Sequence, residues 1–374
     1  MIYLDYCATT PVDKRVLNTF NKVCIDYPGN SNSLHKLGVL SHELEEYATK
    51  RIREILNLNN KDIIYTSGAT ESNNQVIKGV CSRYKNRGNH IITTYLEHSS
   101  ISSVMNYLSD NGFVIDYVRV LDDGRVDLNH LKELITDKTI LVSICYVDSE
   151  LGIEQPIKEI ADIVKEYPKC FFHSDCTQAL GKISINFDLM DFASMSMHKI
   201  YGMKGIGLLV KNKNIVIDNL IHGGKSSTNY RGGTPALPLI VSSMRAIDLI
   251  IPNIDKNYRY VEDLNREIVN NFKDYSDIHI NSTKYSIPYV INISLKNIKS
   301  ETFVHAMDEY NICISTKSAC SDTNTMSDSV YAVTKNREYA MKSFRISLSY
   351  LTTIEEVKEF LKVFRICYEK LSLD

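Results

Sequence analysis

The chain has 374 residues, 44% of them hydrophobic and 24% charged, a globular composition too long for one hydrophobic core; intrinsic disorder and a small disulfide-stapled module are excluded. Its 43 Lys and Arg against 45 Asp and Glu leave a net charge of −2, which gives no general pull toward nucleic-acid phosphate or an anionic membrane.

The opening residues MIYLDYCATT have neither the basic nor the apolar segment of a secretion signal. No run of about 18 apolar residues follows. A cytoplasmic protein with no membrane partner and no direct nucleic-acid partner is expected. Residues 40–58 place Leu40, Leu44, Tyr47, Ala48, Ile52, Ile55 and Leu56 at steps of three and four, which predicts a helix with one inward stripe. Apolar runs at 62–66, 90–95, 113–120, 140–147, 170–174 and 192–197 read as strands with helical segments between several of them. Such alternation predicts an α/β protein with a mostly parallel sheet covered on both faces. Pro156 suits the first turn of a helix over 156–167. Beyond about residue 250 the pattern changes to a helix at 261–273 and short strands at 289–295, 312–315 and 344–349. A last helix is opened by the Thr353 and Glu356 capping box, with Val357, Phe360, Leu361, Phe364 and Leu371 facing inward. This part reads as a separate α+β unit. The nine cysteines form no C-x-x-C pair and no zinc spacing, so no metal site is expected.

Open α/β sheets bind ligands at the carboxyl ends of their strands. After 62–66 comes Ser67-Gly68-Ala69-Thr70-Glu71-Ser72-Asn73, which is either a phosphate cradle at a helix start or an ordinary start capped by Thr70 or Ser72. His98 follows the next strand and is a core histidine or a functional one. Asp175 ends a buried apolar strand. A carboxylate there requires a cation, a helix start or a ligand nitrogen. Lys199, in Ser196-Met197-His198-Lys199, is a surface lysine or, if desolvated, a Schiff-base lysine. Together a phosphate cradle, a ring neighbour, a carboxylate and an imine lysine are what pyridoxal 5′-phosphate requires.

The motifs LDYCATTPVD (4–13), TSGATESNN (66–74), LEHSS (96–100), HSDCTQ (173–178), SMSMHKIYGMKG (194–205), RGGT (231–234), STKSAC (315–320) and FRISLS (344–349) occur in order over nearly the whole chain. In them the chain resembles the cysteine desulfurases of the class-V aminotransferase group, within fold-type I pyridoxal-phosphate enzymes. The resemblance implies a large cofactor-binding domain at 12–250 with a mostly parallel central sheet. A smaller α+β domain at 1–11 and 251–374 would carry the cysteine loop. It implies that Lys199 holds the cofactor covalently, that Asp175 pairs with the pyridine nitrogen, and that His98 stacks on the ring and moves protons. Ala69, Thr70, Ser149, Gln178, Ser196 and His198 would complete the cofactor site, with Thr234 reaching the phosphate of the neighbouring subunit of a homodimer. Arg345, by itself either a carboxylate binder or a salt-bridge partner, would take the substrate α-carboxylate, with Ser149 beside it.

Cys320 lies in a polar stretch, unlike Cys145, Cys170 and Cys313, which sit in apolar runs as small hydrophobes do. The implied reaction converts L-cysteine to L-alanine and leaves a persulfide on Cys320. Its sulfur then passes to an acceptor protein, an iron–sulfur scaffold or a thiolation enzyme, with Cys320 touching an iron–sulfur scaffold at most transiently. The alternatives are selenocysteine lyase or another class-V lyase, against which Cys320 argues, and a turnover-deficient pyridoxal-binding partner protein, against which Lys199, Asp175, His98 and Cys320 argue together. The chain departs from the family pattern at Asp148-Ser149-Glu150-Leu151-Gly152, where Asn-Asn-Glu-x-Gly is usual. Residues 225–230 lack the usual Gln/Glu-x-Gly, and Lys317 stands for a glycine. Met197 and Met203 replace a glycine and a proline, and are expected to add bulk beside the cofactor.

Overall fold

The computed structural model describes residues 1–224, 227–316 and 326–372. Its strands in chain order are β1 (Ile2–Tyr3), β2 (Lys61–Thr66), β3 (His90–Thr93), β4 (Val114–Tyr117), β5 (Thr139–Ser143), β6 (Phe171–Asp175), β7 (Phe192–Ser196), β8 (Gly207–Asn212), β9 (Ile278–Ile280), β10 (Val290–Leu295), β11 (Ile312–Cys313) and β12 (Ser343–Ser347). Seven of them form the main sheet in the order β2-β8-β7-β6-β5-β3-β4. All pairings are parallel except those of β8, which runs antiparallel to both β2 and β7. Sequence reading found the six parallel strands and missed β8. Its link from β7 is short enough to turn back directly, whereas a parallel neighbour needs a crossover of a dozen residues or more.

The central strands are apolar at nearly every position because both faces are covered. Ile64, Ile91 and Leu141 face one side, with Val76, Ile77 and Val80 of the helix Ala69–Tyr84. Their neighbours Ile63, Ile92 and Val142 face the other, in the core that runs on to the second sheet. On that second side the helices Lys14–Asp26 and Lys36–Ile55 pack against Leu237–Ile250. The apolar stretch Leu237–Phe272 is long enough to cross a membrane, but half of its most apolar window is buried in the fold.

The helix expected at 40–58 spans Lys36–Ile55, and its inward stripe differs from the one expected: Ser41, Glu45, Ala48 and Ile52 are buried, while Leu40 and Tyr47 are exposed. The helix at 156–167 spans Ile157–Lys165, with Pro156 just before it. The helix at 261–273 begins earlier, at Ile254.

The second sheet has the order β12-β10-β9, all antiparallel. Phe303, Phe344, Phe360 and Phe364 are fully buried beside it, on the sheet and on the helices Ser300–Asp308 and Ile354–Ser372. The capping box forms as read: Thr353 N donates to Glu356 Oε2 at 2.8 Å and Glu356 N to Thr353 Oγ1 at 3.1 Å. The amino terminus joins this part, since β1 pairs in parallel with β11 and Ser347 N donates to Leu4 O at 2.7 Å.

Candidate active site

The carboxyl ends of β2, β3, β5, β6 and β7 lie along one edge of the main sheet, and there they line a cavity of about 550 Å³. Ala69, Thr70, His98, Ser149, Asp175, Gln178, Ser196, His198 and Lys199 all reach its wall, as does Arg345 from β12. Residues scattered over more than 270 positions of sequence thus share one space. Thr234 does not line it, and sits in a smaller adjoining cavity that shares Ser67 and Gly205 with the first. Cys320 and Lys317 lie outside the described residues.

Asp175, 7% exposed, accepts Asn73 Nδ2 at 2.8 Å on one oxygen and Thr177 N at 2.9 Å on the other. Such a buried carboxylate, held by neutral donors only, is suited to a cationic ligand atom. Lys199 follows β7 on a single 3₁₀ turn. Its Nζ donates to Cys7 O at 2.5 Å and Ala8 O at 2.8 Å. Burial pushes its pKa down to about 8, with Lys182 and Arg345 acting in the same direction and Cys7 and Asp5 opposing. A neutral amine is therefore accessible near physiological pH.

The helix Ala69–Tyr84 starts at Gly68 with no side-chain cap, so neither Thr70 nor Ser72 serves as its N-cap and its first N–H groups face the cavity end. Gly68 has φ +156°, and a Cβ on Gly207 would meet Gly68 Cα at 2.6 Å. Only glycine lets β8 approach this turn so closely. His198 Nδ1 lies 3.1 Å from Thr9 Oγ1; burial, with Lys199 and Lys204, pushes its pKa down to about 4 in the cofactor-free protein. Gln178 is fixed from both ends: its Oε1 accepts Lys182 Nζ at 2.5 Å and its Nε2 donates to Cys7 O at 3.0 Å.

His98 caps the helix Ser99–Asp110, its Nδ1 accepting Ser100 N at 3.1 Å. Burial pushes its pKa below the ordinary imidazole value. By contrast His173 is a satisfied core histidine between Ser143 and Ser194. Glu97 ties the His98 loop to the end of β5, accepting Thr94 Oγ1 at 2.8 Å and Cys145 N at 2.9 Å. Burial pushes its carboxyl up to about 8.

Arg345, 1% exposed and lining the cavity, forms the salt bridge, meeting Asp5 Oδ1 at 2.9 Å and Ser149 O at 2.7 Å, while its Nε is buried with no hydrogen-bond partner among the described residues. Thr177 Oγ1, on the same wall, is likewise unpartnered. These orphaned groups, the carboxylate, the buried lysine of lowered pKa and the uncapped helix start fit pyridoxal phosphate with a carboxylate-bearing substrate.

Met197 is fully buried in the main core and Met203 half-buried against it; neither is on the cavity wall, so the bulk expected beside the cofactor falls elsewhere. Sequence reading missed Cys7, Ala8 and Thr9 as wall residues. The motif 4–13 was visible, but its place depends on β1 pairing with β11 some 300 residues away. The segment holding Cys320 is tied to the cavity at both described ends. Ser315 exchanges backbone hydrogen bonds with Arg345, and Ser327 Oγ donates to Glu150 Oε2 at 2.5 Å, next to Ser149. Asp148, in the place of the family asparagine, accepts Leu151 N at 2.5 Å and Ser329 Oγ at 3.2 Å. Burial, with Glu150 beside it, pushes it up to about 7.

The class-V aminotransferase family pattern matches residues 2–360. Cysteine desulfurase IscS of Buchnera aphidicola subsp. Schizaphis graminum is 36% identical over 370 residues, covering 96% of this chain and 91% of that protein. Cysteine desulfurase IscS of Dictyoglomus turgidum is also 36% identical, covering 99% and 95%. Among solved structures, a NifS-like protein superposes with a TM-score of 0.92 at 33% identity over 98% of this chain and 99% of that one. SspA in complex with cysteine does so at 0.83 and 30% identity, over 94% and 100%.

Proposed function

Because the chain belongs to the class-V aminotransferase family, among its cysteine desulfurases, we propose that its cavity binds pyridoxal 5′-phosphate and L-cysteine and that Cys320 receives the substrate sulfur as a persulfide. The observation that carries this reading is the meeting of Asp175, Lys199, His98, an uncapped helix start and Arg345 in one cavity.

Asp175 would face the pyridine nitrogen. The N–H groups at Ala69 and Thr70, with Ser196 and His198, would hold the phosphate, and Gln178 and Ser149 the ring oxygen. When bound, the cofactor supplies an electron sink that lowers the cost of removing the substrate Cα proton. Lys199 would anchor it covalently and, when released, would move that proton as an amine whose pKa burial lowers to about 8. Arg345, on the cavity wall, would take the substrate carboxylate with its guanidinium. The Cys320 thiolate attacks the substrate sulfur: the C–S bond breaks, an S–S bond forms, and the carbon keeps the electron pair and takes a proton. Cysteine and one enzyme thiol become alanine and one enzyme persulfide. Without an added acceptor or reductant, alanine release should show a burst of about one equivalent per subunit and then slow to the rate at which substrate cysteine, itself a thiol, takes the persulfide sulfur, and an added thiol reductant should quicken it. Release that continues unchanged without either points to a simple lyase.

The same reading divides the chain into domains at 12–250 and at 1–11 with 251–374, which the β1–β11 pairing supports. It makes the protein a homodimer. Leu34, Leu37, Val39, Leu40 and Tyr47 form an exposed apolar group at and before the helix Lys36–Ile55, and Thr234 stands apart from its own cavity as a residue serving a neighbour would. Sedimentation equilibrium should give a dimer, and a fully active stable monomer would contradict this. The described cysteines are all free thiols, which suits a cytoplasmic enzyme that hands sulfur to an acceptor protein.

A further inference from the structure

Asn73, fully buried on the first turns of the helix Ala69–Tyr84, touches two groups of the site at once. Its Nδ2 donates to Asp175 Oδ2 at 2.8 Å and to Ser100 Oγ at 2.9 Å. Ser100 Oγ in turn lies 2.9 Å from His98 Nδ1. The amide cannot be turned over, because its oxygen would then face a carboxylate. In the observed orientation Asn73 Oδ1 is buried with no partner among the described residues. The residue thus keeps one polar atom unsatisfied in order to donate to Asp175 and Ser100.

The proton positions follow from the donors. Ser100 N can only donate, so the His98 Nδ1 it meets carries no proton. Ser100 Oγ receives Asn73 N–H, which leaves its own hydrogen to donate to the same Nδ1. Two donors then meet at one nitrogen, and neutral His98 must carry its proton on Nε2. An Nδ1–H would collide with the Ser100 N–H and would require the Ser100 hydroxyl to turn its own hydrogen away. We propose that Asn73, acting through Ser100, is a positioning residue that ties Asp175 to His98 and holds His98 as the Nε2–H tautomer, leaving Nε2 as the nitrogen that exchanges protons. The inference deepens the pyridoxal-phosphate desulfurase reading and rests on it for its purpose, but not for its geometry.

The charged groups that act on His98 are Asp175, at the end of β6, and Lys199, after β7. Both are retained in the variants used as a test. Nitrogen NMR of the full chain labelled at histidine, with and without pyridoxal phosphate, reads the tautomer directly, and His98→Gln assigns the signal. Wild-type protein should show Nδ1 bare and Nε2 protonated. Asn73→Ala empties one acceptor site on Ser100 Oγ, which then accepts Nδ1–H from the imidazolium. The His98 titration should therefore rise by about one pH unit, the scale of one hydrogen bond lost from the unprotonated form. The acid limb of kcat should move with it, while KM for cysteine stays within about twofold. Ser100→Ala should shift the titration in the same direction and Ser100→Thr should restore it, which keeps the test valid if Asn73→Ala does not fold. An Nδ1–H signal in the wild type, or a titration that neither variant moves, overturns the proposal. The tautomer is also measured in cofactor-free protein, so a failed desulfurase assay with the expected tautomer counts against the functional reading alone.

Discussion

Lys199→Ala should fold normally and lose the reaction: purified with pyridoxal phosphate, it should lack the visible absorbance that the wild type shows, and its alanine release should fall on the order of 10⁴-fold, the upper end of what a positioned proton-transfer group supplies. The folding expectation follows from the side chain's surroundings. Its ammonium rests on the carbonyls of Cys7 and Ala8 and has no ion-pair partner among the described residues, so its loss leaves none of their buried charges unpaired. The loss of function follows from chemistry, since alanine offers no amine to anchor the cofactor or to move the Cα proton. Borohydride reduction followed by mass spectrometry should find the pyridoxyl group on Lys199 of the wild type; a label on another lysine sinks the assignment. The sign of the pH dependence is set by the lowered pKa of about 8. Below that value Lys199 is mostly ammonium, so covalent capture of the cofactor by cofactor-free protein should quicken about tenfold per pH unit up to it and level off above, as a single titrating amine requires.

Cys320→Ser separates binding from sulfur transfer. The variant should keep the colour of the wild type and still show a spectral change with cysteine, because Lys199, Asp175 and Arg345 are untouched. Alanine release should fall by roughly 100-fold or more, about 2.7 kcal/mol of barrier, and no persulfide should appear. The reason is acid strength: a free thiol titrates near 8.5, so about 3% of it is thiolate at pH 7, whereas a serine hydroxyl is scarcely ionised there and is a poor sulfur acceptor. Near-wild-type alanine release from this variant, measured with a reductant present, would show that no acceptor thiol is needed.

What the sequence determined by itself is what depends on local pattern and on residue chemistry. Six strands of the main sheet, the capping box at Thr353 and Glu356, and the run of strand-end residues from Ala69 to Lys199 were legible because β-strand ends and helix starts leave local signatures. Asp175 and Lys199, both on the cavity wall, were legible as candidates because a carboxylate or a lysine at the end of a buried strand needs a partner. Only the tertiary structure decided the rest. β8 is invisible as an antiparallel insert because strand direction is a property of its neighbours. The outward turn of Leu40 and Tyr47 reflects which face Leu237–Ile250 covers, a choice that helical periodicity does not encode. Arg345, the Cys7 to Thr9 segment and the Asn73 bridge join the site through contacts spanning from 27 to 340 residues of sequence, and such contacts are selected by the packing of whole layers rather than by any neighbouring residue.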